Sequence, residues 1–369
     1  MGVAPYKALA LLEPLPSGPE LVSVLTEAAA TALLQERHET GLGYAERALS
    51  LAGELGLPRP ARALGFRGMA RSNLGERGGL DDFREAITLA TKAGQGREVA
   101  LLHNNLAVAL WPVEGPAAVL EVLQAGIAFA QARGLTEMAD TLTANTVGGL
   151  VETGEHEQAL TRASSLADQA EASGNLLGLA QLRAVQAQIL ALRGQATQVA
   201  DTLDWLESTC RETGSTDYAV LGFGAAAPAR AALGHNDRAA ALLTEIDSTP
   251  GLRENATYAA ILPTIVRTAL TAGDQQLAAR LAAGVEPHTP YHEHALTAAN
   301  AARRWQSFGV VPEQAFALLG QGRCLTALGR PNEASQALRH AREIFHTLQA
   351  APALAETDLL LQQATALSS

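Results

Sequence analysis

The sequence predicts an all-α protein built as a stack of antiparallel helix pairs, an α-solenoid. Three observations carry this expectation. Apolar residues make up 47% of the chain and aromatics 4%, so the apolar side chains are mostly Ala and Leu, strong helix formers. Runs of Val and Ile are scarce, which leaves little strand signal. Loop glycines are followed five residues later by alanine in Gly154…Ala159, Gly234…Ala239, Gly273…Ala278 and Gly329…Ala334. A small residue at that place lets two backbones approach where antiparallel helices cross, so Ala159 and Ala334 are expected at buried crossings.

Around Gly329 the spacing extends both ways, with Gly322 seven residues before and Ala341 twelve after. Small residues near positions 8, 15, 20 and 27 of a unit of about 34 residues form the tetratricopeptide pattern, which winds helix pairs into a right-handed superhelix.

Gly and Pro breaks divide the chain into these pairs. The first pair covers 20–35 and 40–55, with Ala45, Ala48, Leu49 and Ala52 on one face; Leu57-Pro58-Arg59-Pro60 closes it. The second covers 61–74 and 80–93. The third covers 97–110 and 116–133, with Trp111-Pro112 through Pro116 forcing the turn; a proline opening a helix loses nothing, because its N–H would be unpaired there. Pairs at 137–153 with 155–173, 176–193 with 197–213, 217–233 with 237–246, and 255–271 with 275–283 follow, the last having a short second helix. A rigid link, Val285 to Pro290, precedes a single helix over 291–308. The last pair covers 312–328 and 332–348, and a helix over 354–366 caps the stack with Glu356, Asp358, Gln362 and Gln363 on a polar outer face. Loops are short and no disordered linker interrupts the run, so residues 1–369 read as one solenoid with a bend or irregular unit at 284–291.

The bulk numbers exclude several functions. The net charge is −11 and the pI near 5.3. No Lys/Arg cluster exists beyond Arg303-Arg304, so direct nucleic-acid binding is not expected. No apolar run of about 18 residues suggests a membrane span, and the first residues, through Pro16, make a poor signal peptide. Cys210 and Cys324 lie far apart and read as small buried hydrophobes. A cytoplasmic location is expected.

Catalytic motifs are absent. A phosphate loop needs Gly-Lys before Ser or Thr, and the two lysines, Lys7 and Lys92, follow Tyr6 and Thr91. Gly65 and Gly68 fall inside a helical pattern and read as helix–helix contacts. His292-Glu293-His294 is the densest histidine cluster, but two His at i, i+2 face different sides of a helix. Pro290 separates His288 from that cluster, so a solvated helix start is expected rather than a metal site. His156 and His235 sit in tight turns and read as surface residues. No Gly-x-Ser-x-Gly elbow occurs. No enzyme activity, cofactor or metal is expected.

The stretch Leu319 to Pro331, with Glu333-Ala334 and Ala341-Arg342-Glu343-Ile344-Phe345, resembles the end of a large actinobacterial class in which a nucleotide cyclase and an AAA-type ATPase precede a tetratricopeptide-like tail. Large LuxR-type ATP-binding regulators are similar. Ala63 to Arg71, Gly79 to Ala86 and Asn104 to Ala107 fit the same pattern. The cyclase and ATPase domains are missing here, so the resemblance implies the tail's fold and neither activity. It also leads to an expectation of two helices over 289–308, where this chain has room for one.

These readings imply a non-catalytic module that binds a protein or peptide segment, in bacterial signalling or transcriptional regulation. The first helix of each pair would line the groove, at positions near 2, 5, 9, 12 and 13 counted with the small residue at 8. Gly68 in that place gives Arg62, Met69, Ser72 and Asn73; Asn104 gives Asn105; Ala187 gives Gln181 and Gln188; Gly322 gives Arg323. Arg, Asn and Gln suit extended peptide backbone, because amides donate and accept together. The alternative is a small-molecule-sensing superhelix, which a deep pocket containing Trp111, Trp205 or Trp305 would favour.

The purified chain is therefore expected neither to hydrolyse ATP nor to make a cyclic nucleotide. Turnover that survives stringent purification and is lost on a point mutation would refute this.

Overall fold

The computed structural model of the chain describes residues 4–35, 37–76, 78–250, 252–254, 256–285, 289–290 and 301–366. Among these are nineteen α-helices, two short 3-10 helices and no strand. In chain order the helices are α1 (Ala4–Leu12), α2 (Pro19–Leu34), α3 (His38–Glu54), α4 (Ala61–Asn73), α5 (Gly78–Lys92), α6 (Gly96–Glu114), α7 (Pro116–Gln131), α8 (Thr136–Glu152), α9 (His156–Ser173) and α10 (Leu176–Leu192). There follow α11 (Ala200–Glu212), α12 (Thr216–Ala232), α13 (Asn236–Ser248), α14 (Ala256–Thr271), α15 (Gln275–Ala282), α16 (Ala301–Phe308), α17 (Val311–Ala327), α18 (Pro331–Leu348) and α19 (Ala351–Ala366). The all-α helix-pair solenoid expected from sequence is the fold found.

The helix ends set the repeat. Gly134, Gly154, Gly174, Gly194, Gly214 and Gly234 all have positive φ and recur at steps of 20 residues. Each follows a helix at the position where a left-handed residue lets the chain reverse, which glycine adopts without a Cβ clash. A pair is therefore 40 residues long, from Gly154 to Gly194 to Gly234, rather than the expected 34. The extra length goes into helices of 17 and 18 residues, such as α9, α10 and α12. Two starts carry side-chain caps: Asn175 accepts from Gly178 N–H at 3.1 Å, and Asp274 from Leu277 N–H at 2.8 Å.

The chain divides into two compact units, Met1–Trp111 with Ala118–Asn145, and Pro112–Ala117 with Thr146–Ser369. In the first unit α4 and α5 cross with almost no space between backbones. A Cβ at Gly68 would stand 2.8 Å from the Gly79 carbonyl oxygen, and one at Gly65 would meet Leu102 of α6. Both glycines thus serve helix packing, as expected. The core there runs through Leu64, Phe83, Leu102, Leu123 and Leu142. In the second unit a continuous core joins Leu203, Phe223, Leu243, Tyr258 and Leu281, and a further cluster is built on Leu338, Phe345 and Leu348. Ala159 and Ala334 are fully buried.

Ionic contacts stitch the second unit between helices. Glu207, with no exposed side-chain surface, accepts from Arg230 Nε of α12 at 2.8 Å and from Arg238 Nε of α13 at 2.9 Å. Two cations on one buried carboxylate satisfy both its oxygens, the condition for burying it at all. Arg267 of α14 holds Glu313 of α17 by two bonds of 2.6 and 2.7 Å and lies over Phe316 at 3.9 Å.

Several expectations are corrected. Residues 4–12 form a helix, α1, ahead of the first pair expected from residue 20. Pro112 does not end its helix; α6 continues through it to Glu114, and Gly115 makes the break. Cys324 is exposed, though Cys210 is buried as expected. His156 is buried at 2% exposure, because its turn is covered by another part of the unit. The second helix of the 255–283 pair is short, as expected: α15 has 8 residues. Of the single helix expected over 291–308, residues Ala301–Phe308 are described, as α16, and 291–300 lie outside the described residues. Residues 286–288 of the link, within the bend expected at 284–291, and His288, His292 and His294 lie outside the described residues.

Ala159→Leu and Ala334→Leu should each overpack a closed crossing and cost about 1–3 kcal/mol. Chemical denaturation of both variants checks this; unchanged midpoints would mean the crossings accommodate bulk.

Candidate functional site

The first helices of the pairs present one face away from their partners, and in the first unit that face can be built residue by residue. Arg67 and Gly68 of α4 are turned to α5: Arg67 grips the buried Asp82 at 2.6 and 2.9 Å, and Gly68 touches Gly79. Helical geometry then places Arg62, Phe66, Met69 and Asn73 on the opposite side. They are half-buried except Asn73, which is exposed. On α6, His103 packs on Gly126 of α7 and stacks on Phe129. Leu101, Asn105 and Val108 lie across the helix from it. Val108 is 53% exposed, a large apolar side chain offered to solvent.

Two polar runs cross this face. At one end Glu27 of α2, Arg62 of α4 and Glu98 of α6 form a ladder, with Arg62 Nε 3.1 Å from Glu27 and Nη1 donating to Glu98 at 3.3 Å. Arg62 also lies over the Phe66 ring at 5.4 Å. Burial pushes the Glu98 carboxyl up from the ordinary carboxylate range, against the pull of Arg62. A cleft of about 410 Å³ opens here, lined by Pro60, Arg62, Gln95, Gly96, Arg97 and Glu98. At the other end three amides meet: Asn145 of α8 donates to the Asn104 side-chain oxygen at 2.5 Å, and Asn104 donates to Asn105 at 3.5 Å.

The sequence-derived groove residues therefore separate. Arg62, Met69, Asn73 and Asn105 share one face of the first unit. Asn73 bonds the His38 ring at 3.3 Å. Ser72 differs: its hydroxyl is buried against Gly79, so it faces α5, because it lies one helical turn from Gly68. Gln181 (half-buried) and Gln188 (exposed) share a face of α10 in the second unit. Arg323 is exposed and pairs with Glu356 of α19. Glu27, Phe66, Glu98, Leu101, Asn104, Val108 and Asn145 were not anticipated. Glu27, Arg62 and Glu98 recur 35 and 36 residues apart, a signal the repeat frame contained. In the sequence frame Asn104 takes the packing position, whereas here it meets Asn105 and Asn145.

Trp305 is buried, and Trp111 and Trp205 are half-buried against the cores of their units. None of the three lines this cleft, nor a second one of about 640 Å³ bounded by Arg342, Asp358, Leu361, Gln362, Thr365 and Ala366. Burial pushes the Cys210 thiol up to about 11, so it stays protonated near neutrality. Among the described residues no group of three or more His, Cys, Asp or Glu is placed to hold a metal, and no helix is long and apolar enough to cross a membrane.

The fold and this face define a helical-repeat solenoid of the tetratricopeptide-like kind. No family model matches the chain, and no curated protein sequence matches it. Among solved structures it is similar to a Rap protein complexed with Competence and Sporulation Factor, at a TM-score of 0.53 and 10% identity, over 95% of this chain and 99% of that one. Yeast Tom70 aligns over 97% of this chain and 91% of its own at 12% identity with a TM-score of 0.31. Kinesin binding protein aligns over 98% and 92% at 11% identity, also with a TM-score of 0.31. At 10% identity the likeness to the Rap protein is one of fold.

Two arginines of α4 separate the two faces. Arg62→Met should cost about 1 kcal/mol, because Arg62 and Glu27 are open to solvent and the largely buried Glu98, its carboxyl already pushed up by burial, can take up a proton when its partner is lost. Arg67→Met should cost about 3 kcal/mol, because it strips the main partner from a buried carboxylate. Parallel urea unfolding tests this; equal losses would show that Arg62 belongs to the packed side.

Proposed function

We propose that this chain is a non-catalytic module that binds an extended protein or peptide segment along the open face of α2, α4, α6 and α8. The observation that carries the reading is the composition of that face. Half-buried or exposed apolar side chains (Phe66, Met69, Leu101, Val108) lie beside a run of amides, Asn104, Asn105 and Asn145, already held together across two helices. Apolar side chains give a bound segment something to bury, and amides can pair with its backbone whatever its sequence. The Rap protein of the same fold was crystallised with Competence and Sporulation Factor, which supports reading such a stack as a binding surface. The resemblance of the C-terminal stretch to tails of cyclase/ATPase and LuxR-type regulators supports a sensor or assembly role in bacterial signalling or transcriptional regulation. The ordinary place of such a module is the cytoplasm.

A peptide array probed with labelled protein tests this. Retained peptides should lose about tenfold in affinity, near 1.4 kcal/mol, in Asn105→Ala and in Val108→Asp. Gln362→Ala, remote on α19, should bind as the parent does. No retained peptide, or retention indifferent to both groove variants, would overturn the reading.

A further inference from the structure

Solenoid repeats touch their neighbours in sequence, and the second unit breaks that rule. The turns after α8 and α10 are covered by the junction of α18 and α19. A Cβ at Gly154 would stand 3.1 Å from Leu348 and 3.2 Å from Val311, and one at Gly194 would stand 3.1 Å from Pro352. Arg193, 7% exposed, ion-pairs with Glu157 at 2.9 Å and donates to the Leu348 carbonyl at 3.4 Å, 155 residues away. Gln349 donates to the same Glu157 oxygen at 3.1 Å across 192 residues. Leu192 packs into the cluster of α17 to α19.

Two details set this seam apart from ordinary packing. Gly309 and Gly329 mark helix ends at the usual 20-residue step, and the next step falls on Gln349, which takes the same left-handed conformation at φ 58°. Among the described residues no other non-glycine has a positive φ. That conformation strains a residue with a Cβ, and here the side chain it carries reaches Glu157 across the seam. The second detail is His156, enclosed in the seam. Its Nε2 lies 3.2 Å from the Val151 carbonyl, its Nδ1 is buried without a well-formed hydrogen bond, and the Leu348 carbonyl acts on the ring.

We propose that this seam is a reversible latch that closes the second unit on itself and opens when His156 takes up a proton. The charged groups bearing on the ring are Arg193, at the end of α10, and Glu157, next to it on α9. From α18 the Leu348 carbonyl faces it, while His346 of the same turn is exposed. Burial, then the Arg193 guanidinium, hold the imidazole below its ordinary range; the two carbonyls and Glu157 pull the other way and are outweighed. The closed seam thus prefers the neutral ring. Above the open-state value near 6.5 both states are neutral and closure keeps its full strength. Below it the open state gains a proton that the closed state resists, so closure weakens as the pH falls. A proton on His156 also sets a second cation beside Arg193, with one exposed carboxylate for the two.

Hydrogen exchange on the full chain tests the latch without any ligand. After correction for intrinsic rates, peptides spanning 150–158, 190–196 and 346–354 should open about tenfold more at about pH 5.5 than at about pH 7.5, the limit for one proton taken up near 6.5. Peptides of α12 should not change. His156→Gln, whether its seam is closed or already open, should show no such step. His346→Gln should keep it. Glu157→Gln, which takes the carboxylate away from Arg193 and from the Gln349 contact, should open further at about pH 5.5 than the parent. A parent seam no more responsive than α12, or a step that persists in His156→Gln, would overturn the proposal.

Discussion

The structure depends on how closely two helix backbones can approach. The crossing of Gly68 over Gly79 has no room for a Cβ, and Ala159 and Ala334 are fully buried with one methyl group each. Everything else follows from that approach. Partner helices that lie so near bury one face completely, and the opposite face of each first helix is left over. In a chain whose core is Ala and Leu, the core is thin, and its stability is spread along the stack rather than concentrated in one centre. Larger side chains and ion pairs then act as local pins: Phe83 under α4, Glu207 between Arg230 and Arg238, and Glu313 under Arg267.

The leftover face explains why the candidate site has the character it has. Residues turned to a partner helix are fixed by packing, as Arg67 is by Asp82. Residues turned away from it are constrained by little except their neighbours on adjacent repeats. There the chain has placed Phe66, Met69 and Val108 beside paired amides and the Glu27–Arg62–Glu98 ladder. Exposed apolar side chains interleaved with satisfied polar ones are a poor arrangement for stability and a good one for taking up a segment that brings its own backbone.

The seam of the second unit adds a constraint that no neighbour-to-neighbour rule contains. A stack of equal pairs can be read pair by pair; a stack whose last junction lies on its first turns cannot. Gly154, His156 and Arg193 are explained by Leu348, Gln349 and Pro352. This is why a histidine in a short turn, a surface residue by local reasoning, is among the most buried polar groups of the unit.

The sequence by itself determined the helices and most of their limits, because Ala/Leu composition, Gly and Pro breaks and small-residue spacing act within one turn of chain. It held α15 short and marked Ala159 and Ala334 for burial. It also contained the 20-residue glycine step, although a 34-residue frame concealed it, and that frame placed Ser72 in the groove when it faces α5. The sequence frame also put Arg62, Met69, Asn73 and Asn105 on one face of the first unit, where the structure has them. Phe66, Asn104 and Asn145 were not legible, because which side of a helix stays open depends on where its partner and the next pair lie. Tertiary structure alone decided the helical passage through Pro112, the burial of His156 and the left-handed Gln349. Those are set by contacts between residues far apart in the chain, and local propensity holds no record of them.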